Sequence, residues 1–519
     1  MQATAATWNK LGNGLAAALL ALALLLPLCG LQTLPFVDLP LHLAEATALK
    51  HAADPASPLH ASFQPVPHLW LQPGIAHAFL CSLFPSVEAG NRLLYALYAL
   101  ALPALMAVLG RRTGGAPAAA ALAAVTVWNG NALWGFSGFT LGLPLVLATL
   151  LAHVRFLARP HPLGPVALGG LFLLLYGCHA LLALFAGLSF ALLETAAWLT
   201  RRSAARPALL RALALAPALL LLALWAHSGE AFAEGGTLPF LRTYYAHEYL
   251  PTLRQRLVNI CTFDWGTLAG GRWTPWLCLT ATLALSLPAG AGLLARLARR
   301  GRPPLTLPQL ATLAFLLAAA LCAAFLPDRL PEQWALYQRF SVFVLLGLIA
   351  VMAWSLPPLL PHRLLAAYAA CAVAAYLALS AGFFRAYRTA ERDLIAFFQT
   401  APGLSARRVA FLIDEPLVGG HPVFMHAANY QIVWNRQPTP TKMGSYRFGF
   451  LRQTGRLPLT DEWLATRDDA ALRDQLLRWD TFDTFVTQGD RPARLLQTAP
   501  GMELRHRVGA WRLYQRHTL

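Results

Sequence analysis

Apolar runs recur along this 519-residue chain at short intervals, and that recurrence leaves few folds open to it. They lie at about 12–34, 93–110, 116–134, 138–157, 164–177, 179–200, 208–227, 273–295, 305–326, 340–358 and 364–384. Several approach the ~20 residues that carry a helix across a bilayer, and the shorter ones borrow from their flanks. In lipid the backbone must satisfy its own hydrogen bonds, which leaves helices or a closed barrel. A barrel is excluded, because runs such as Leu15 to Leu26 show no period-two alternation. With 57% hydrophobic and 13% charged residues, a water-soluble globule of this make-up would aggregate. The expectation is an α-helical polytopic membrane protein of about eleven transmembrane helices. The first run follows Lys10 and no small-x-small site closes it, so it reads as an uncleaved helix rather than a signal peptide.

The net charge of +17 raises the question of nucleic acid, and its placement answers it. Arg111 and Arg112, Arg155 and Arg159, Arg201, Arg202, Arg206 and Arg211, Arg296, Arg299, Arg300 and Arg302, and Arg363 fall in short loops on one side when the loops are placed alternately. Such clusters are topology signals facing anionic lipid and the cytoplasm, not a groove that tracks phosphates, so no nucleic-acid partner is expected. The N-terminus is then cytoplasmic. An odd number of crossings carries the C-terminus to the extracytoplasmic side, together with loops at about 35–92, 228–272 and 327–339. Function is expected on that elaborate side.

After about residue 387 hydropathy falls and charge rises, so residues 1–386 read as the helical bundle and 387–519 as a small soluble α/β domain. RRVAFLID, YQIVW, FDTFVTQ and RVGAWRLYQR are rich in β-branched and aromatic residues and predict strands. DEWLATRDDAALRDQLLRW predicts a helix, with acidic residues at its start and apolar ones at helical spacing. The seven cysteines stand singly, without CxxC or Cys/His ligand spacing, which argues against a zinc or iron–sulfur site. Cys81 and Cys261 fall in or near outward loops, where either one disulfide or two buried thiols would fit.

The segment FVDLPLHLAEATALKHAADP directly follows the first helix and places Asp38, His42 and Glu45 within two helical turns. Asp38 and His42, four apart, share a face if a helix starts near Pro40. A carboxylate there suits a general base for an acceptor hydroxyl, and a histidine beside it would tune charge or bind phosphate. An Asp before x-Pro is also the pattern of a helix N-cap. His68 lies farther along the same loop, in PVPHLW. TYYAHEYL offers Tyr244, Tyr245, His247, Glu248 and Tyr249, residue types that stack on and bond to sugars, although an interfacial aromatic belt has the same composition. WNGNALWGFSGF presents Trp128, Asn129, Asn131 and Trp134, which interfacial anchoring also accounts for. His179, where two apolar segments meet, sits at an outward turn.

The arrangement resembles the GT-C glycosyltransferases, multi-pass enzymes that take a sugar from a polyprenyl-phosphate carrier on the outer face. The resemblance rests on the acidic Asp38 in the first outward loop, on the odd number of crossings, and on a tail ending in WDTFDTFVTQG and GAWRLYQR. It implies displacement of a lipid phosphate from an anomeric carbon by a hydroxyl of a glycan, lipid or protein acceptor, with Asp38 as base and His42 beside it. The leaving phosphate needs cations, and Arg forks suit it. Arg329 in LPDRLPEQW and Arg339 in YQRF are the leading donor-phosphate ligands, with Arg242 and Arg272 behind them. Glu45, His68, Tyr245, His247 and Glu248 are the substrate-binding candidates. Asp38 is followed by Leu39 and not by the second carboxylate of some subfamilies, which leaves a divalent metal open. Two other classes compete: a non-catalytic scaffold for envelope polysaccharide, and a transporter of lipid-linked sugars. The transporter reading expects intramembrane charges near helix centres, and none is evident in the sequence.

Overall fold

The computed structural model describes residues 2–115, 121–227, 251–270, 274–298, 304–329, 333–356, 361–404, 409–441, 443, 449–454 and 482–516. Among these, eight helices are long and apolar enough to cross a membrane: Val87–Arg112, Ser137–Ala158, Ala180–Leu199, Pro207–His227, Thr274–Ala298, Leu307–Phe325, Gln338–Ser355 and Arg363–Thr400. Two shorter apolar helices, Gly14–Cys29 and Gly164–Cys178, join them. The chain is a multi-pass integral membrane protein. Gln338–Ser355 is the most enclosed span, ringed by Val87–Arg112, Thr274–Ala298 and Leu307–Phe325.

The expected helix at 116–134 is corrected. Its described part is a 3-10 turn at Ala123–Thr126 and a one-turn helix at Gly130–Leu133. It still carries the chain from Gly115, packed on Ala353, to Gly135, packed on Asp38. Asn129 breaks the helix by accepting a bond from the Ala132 amide. Irregular backbone at such depth persists where protein supplies its partners. Here the Tyr376 hydroxyl accepts from the Trp128 amide, and Asn131 Nδ2 donates to the Arg339 carbonyl at 3.1 Å. Trp128, Asn129 and Asn131 are fully buried, so this is packed core and not an interfacial belt.

The final span continues as one helix, His362–Thr400. Beyond it a four-stranded sheet runs in the order β2, β4, β6, β5, where β2 is Val409–Ile413, β4 Thr484–Gln488, β5 Met502–Val508 and β6 Trp511–Arg516. β2 and β4 are parallel and the other pairings antiparallel. The small α/β region expected in the tail is present. YQIVW is corrected from strand to helix, Tyr430–Asn435, in which Tyr430 and Trp434 stack at 4.3 Å. Five residues, four of them apolar, fit either period, and burial among helices decided. The helix expected over DEWLATRDDAALRDQLLRW lies outside the described residues.

A second, two-stranded sheet ties this region to the first loop. β1, Phe63–Pro65, pairs antiparallel with β3, Leu451–Gln453. Trp434 adds a bond from Nε1 to Glu88 at 2.6 Å. All seven cysteines are free thiols, Cys81 buried beside His77.

Candidate active site at the mouth of the bundle

Asp38 is set by the backbone on both of its sides. Phe36, fully buried, packs on Tyr95 and Trp128 with ring centroids 4.8 and 6.0 Å away. The Val37 and Asp38 amides then donate to the Leu133 and Trp134 carbonyls at 3.1 and 3.0 Å. Gly135 backs this contact at a φ of +79°, and a Cβ there would stand 2.6 Å from the Asp38 nitrogen. Only glycine permits both that conformation and that approach. The helix Leu39–His51 starts here, with Pro40 in its first turn where a missing N–H costs nothing.

Asp38 is the N-cap residue, yet its carboxylate makes no capping bond. It lies instead 3.4 Å from Nε2 of His426, in the C-terminal region. One turn later His42 Nδ1 bonds Glu45 Oε2 at 2.8 Å, and Glu45 is buried. Burial opposes the charged form of His42, but the bond and charge of Glu45, helped by Asp38, outweigh it, and its pKa rises above 6.5.

The cation opposite is Arg339, on the 3-10 turn Gln338–Phe340. Its guanidinium lies over the Phe136 ring at 3.8 Å. Nη2 donates to the Trp334 carbonyl at 3.0 Å, and Nη1 lies 3.2 Å from His179 Nε2. Nδ1 of His179 also faces the Leu181 amide at 3.2 Å. A neutral imidazole has one in-plane lone pair, so Arg339 and Leu181 compete for it. Among the described residues, Nε of Arg339 has no partner and no carboxylate lies within ion-pair distance, although the residue is only 6% exposed. A buried guanidinium in that state can receive an anion.

Arg339 is held from behind. Arg256 donates to the Ala323 and Leu326 carbonyls at 3.0 and 2.8 Å, capping Leu307–Phe325, and lies over the Tyr337 ring. Asn259 bonds the Tyr337 hydroxyl at 2.6 Å, and Gln338 bonds Asp328 at 2.6 Å. An aromatic wall closes one flank: Trp134 meets Trp334 edge-on at 4.2 Å and His421 at 4.9 Å. His421 Nε2 donates to the Leu133 carbonyl at 2.9 Å, and burial holds its pKa down at about 4, so it is neutral near pH 7.

Of the residues singled out from sequence, Asp38, His42, Glu45, Arg339, His179 and Trp134 therefore meet in one region. Arg329 does not join them; it is exposed, with Asp328 at 3.5 Å. His68 is exposed beside Trp70. Tyr244, Tyr245, His247, Glu248, Tyr249, Arg242 and Arg272 lie outside the described residues. His421, His426, Phe136 and Trp334 were not anticipated. The one local signal was the paired histidines of GGHPVFMH, following a turn that needs two glycines at positive φ. Among the described residues, no three His, Cys, Asp or Glu side chains are grouped to hold a metal ion.

The helical bundle with its small C-terminal sheet matches the fold of a solved structure. The solved structure of ArnT from Cupriavidus metallidurans, bound to undecaprenyl phosphate, superposes with a TM-score of 0.51 over 98% of each chain, at 14% identity. No family model and no curated protein matches the chain.

Proposed function

We propose that the chain is a membrane glycosyltransferase that moves a sugar from a polyprenyl-phosphate carrier to a hydroxyl of an extracytoplasmic glycan, lipid or protein. The observation that carries this reading is Arg339, a buried guanidinium without a carboxylate partner among the described residues, near Asp38 at the mouth of a GT-C-like bundle. In the reaction the acceptor oxygen forms a bond to the anomeric carbon as the carbon–oxygen bond to phosphate breaks. The bonding pair leaves on the polyprenyl phosphate, whose growing charge Arg339 meets in a poorly hydrated setting. Asp38 takes the hydroxyl proton. The exposed edge of Trp334 supplies a face for a sugar ring.

The related structure contains undecaprenyl phosphate, which favours this donor class. The Arg-rich helix ends favour an orientation in which the Asp38 end and the domain taken as 387–519 are extracytoplasmic; the resemblance to the GT-C enzymes implies the inner membrane of a two-membrane cell. Binding of undecaprenyl phosphate to the protein in nanodiscs tests the central contact. Loss of a charge-assisted bond is worth about 1.5–3 kcal/mol, so Arg339→Ala weakens binding by about ten- to a hundredfold. Equal affinity in the variant would remove Arg339 from the donor site.

A further inference from the structure

We propose that Asp38 passes the acceptor's proton to His42, which Glu45 holds in the accepting tautomer; this rests on the sugar-transfer reading above. Glu45 is 7% exposed, and its bond to His42 Nδ1 is the one hydrogen bond its carboxylate makes among the described residues. A buried carboxylate is tolerated when it is paired and bonded, so Nδ1 carries a proton directed at Glu45. The in-plane lone pair then sits on Nε2, and no described group bonds it. The His42 side chain is 30% exposed while Glu45 is enclosed, so a proton stored on the imidazole has a route to water.

The neighbours of His42 favour this role. Asp38 stands one turn earlier at the start of the same helix, where its charge favours a protonated imidazole; its own carboxylate contact is His426 Nε2 at 3.4 Å, so the proton crosses to His42 through a bridging water. His77 is edge-on to His42 at 5.9 Å, but its Nε2 bonds Asn91 at 2.9 Å and burial lowers its pKa to about 3, so it does not compete for the proton. His426 faces both Asp38 and His42, and His179 lies within electrostatic reach. Asp38 and Glu45 are the two anions facing His42.

The step balances without a co-reactant. The acceptor O–H bond breaks as the oxygen joins the anomeric carbon, the proton rests on the Asp38 carboxylate, and it moves by way of a water, which gives one proton to His42 Nε2 as it takes the other from Asp38. An imidazole is intrinsically more basic than a carboxylate, and its bond to Glu45 strengthens His42 further, so the second transfer runs downhill. Asp38 is thereby returned to its ionised form for the next turnover. In this scheme Glu45 is a positioning residue that acts through His42.

The test uses full-length protein in nanodiscs with nitrogen-15 histidine, titrated by NMR and assayed for transfer from polyprenyl-phosphate sugars across the same pH range. In the wild type His42 titrates above 6.5 with its neutral form protonated at Nδ1, and kcat/KM falls as pH drops through that value. Glu45→Gln moves both the His42 midpoint and this acid limb to lower pH. His42→Gln removes the limb and lowers kcat by about a hundredfold, the low end for a positioned proton acceptor. A His42 midpoint indifferent to Glu45→Gln overturns the pairing. A midpoint that moves while the limb stays overturns the relay. A wild type inert toward every donor defeats the sugar-transfer reading and the relay with it, while the titration still decides the pairing.

Discussion

Asp264 shows how one side chain sets a pH dependence. It follows the helix Leu253–Phe263, is fully buried, and faces the Ser341 hydroxyl and the Gly130 amide without a full hydrogen bond. Burial pushes its pKa from 3.8 up to about 7. Between those values the native state keeps a proton that the unfolded chain has released, so stability falls as pH rises from about 4 to 7 and levels off above. The loss is on the order of a few kcal/mol. Asp264→Asn removes it: thermal unfolding in detergent should show the wild type losing midpoint between pH 5 and 8 while the variant holds its own. Parallel curves would contradict the assignment. Asp264 was illegible in the sequence, because the two polar groups it faces, on Ser341 and Gly130, lie more than seventy positions away. His421 and His426 were missed for the same reason. Asp38, His42 and Arg339 were legible, because each combines a charge-bearing type with a place just outside an apolar run.

Elements carry the next level of argument. Ten of the expected apolar runs emerge as helices close to their expected positions, since twenty apolar residues in lipid have little else to do. The run at 116–134 differs because Asn and Gly interrupt it and buried partners, absent from the local pattern, supply its backbone bonds. At the far end of the bundle from Asp38, an ion cluster joins three elements. His153 on Ser137–Ala158 and Arg211 on Ala205–Ala212 both bond Glu194 on Ala180–Leu199, at 2.8 and 2.6 Å. A second Arg211 nitrogen reaches the other Glu194 oxygen at 2.9 Å. His153 also stacks on Phe190 at 4.1 Å. Removing one member leaves the others buried and uncompensated, so Glu194→Ala should cost about 3–5 kcal/mol. A chemical-denaturation midpoint equal to the wild type's would show that the cluster does not hold these helices together.

At the scale of the whole molecule, the candidate site is assembled because four distant parts of the chain converge. The first loop brings Asp38, His42 and Glu45. The irregular segment before Ser137 brings Trp134 and the Gly135 backing, and the loop before Ser341 brings Arg339. The C-terminal region closes over them through His421 and His426, steadied by the β1–β3 pairing. The fold was legible from hydropathy and from its resemblance to the GT-C enzymes; the closure was not, because no local pattern encodes which loop a distant turn will meet. The measurement that tests the account most directly is sugar transfer by the purified protein in nanodiscs, offered a panel of polyprenyl-phosphate sugars and acceptors, for wild type and Asp38→Asn. The account predicts transfer by the wild type and its loss by about a hundredfold or more in the variant, with the fold intact. Transfer at the wild-type rate by Asp38→Asn, or none from any donor by the wild type, would contradict it.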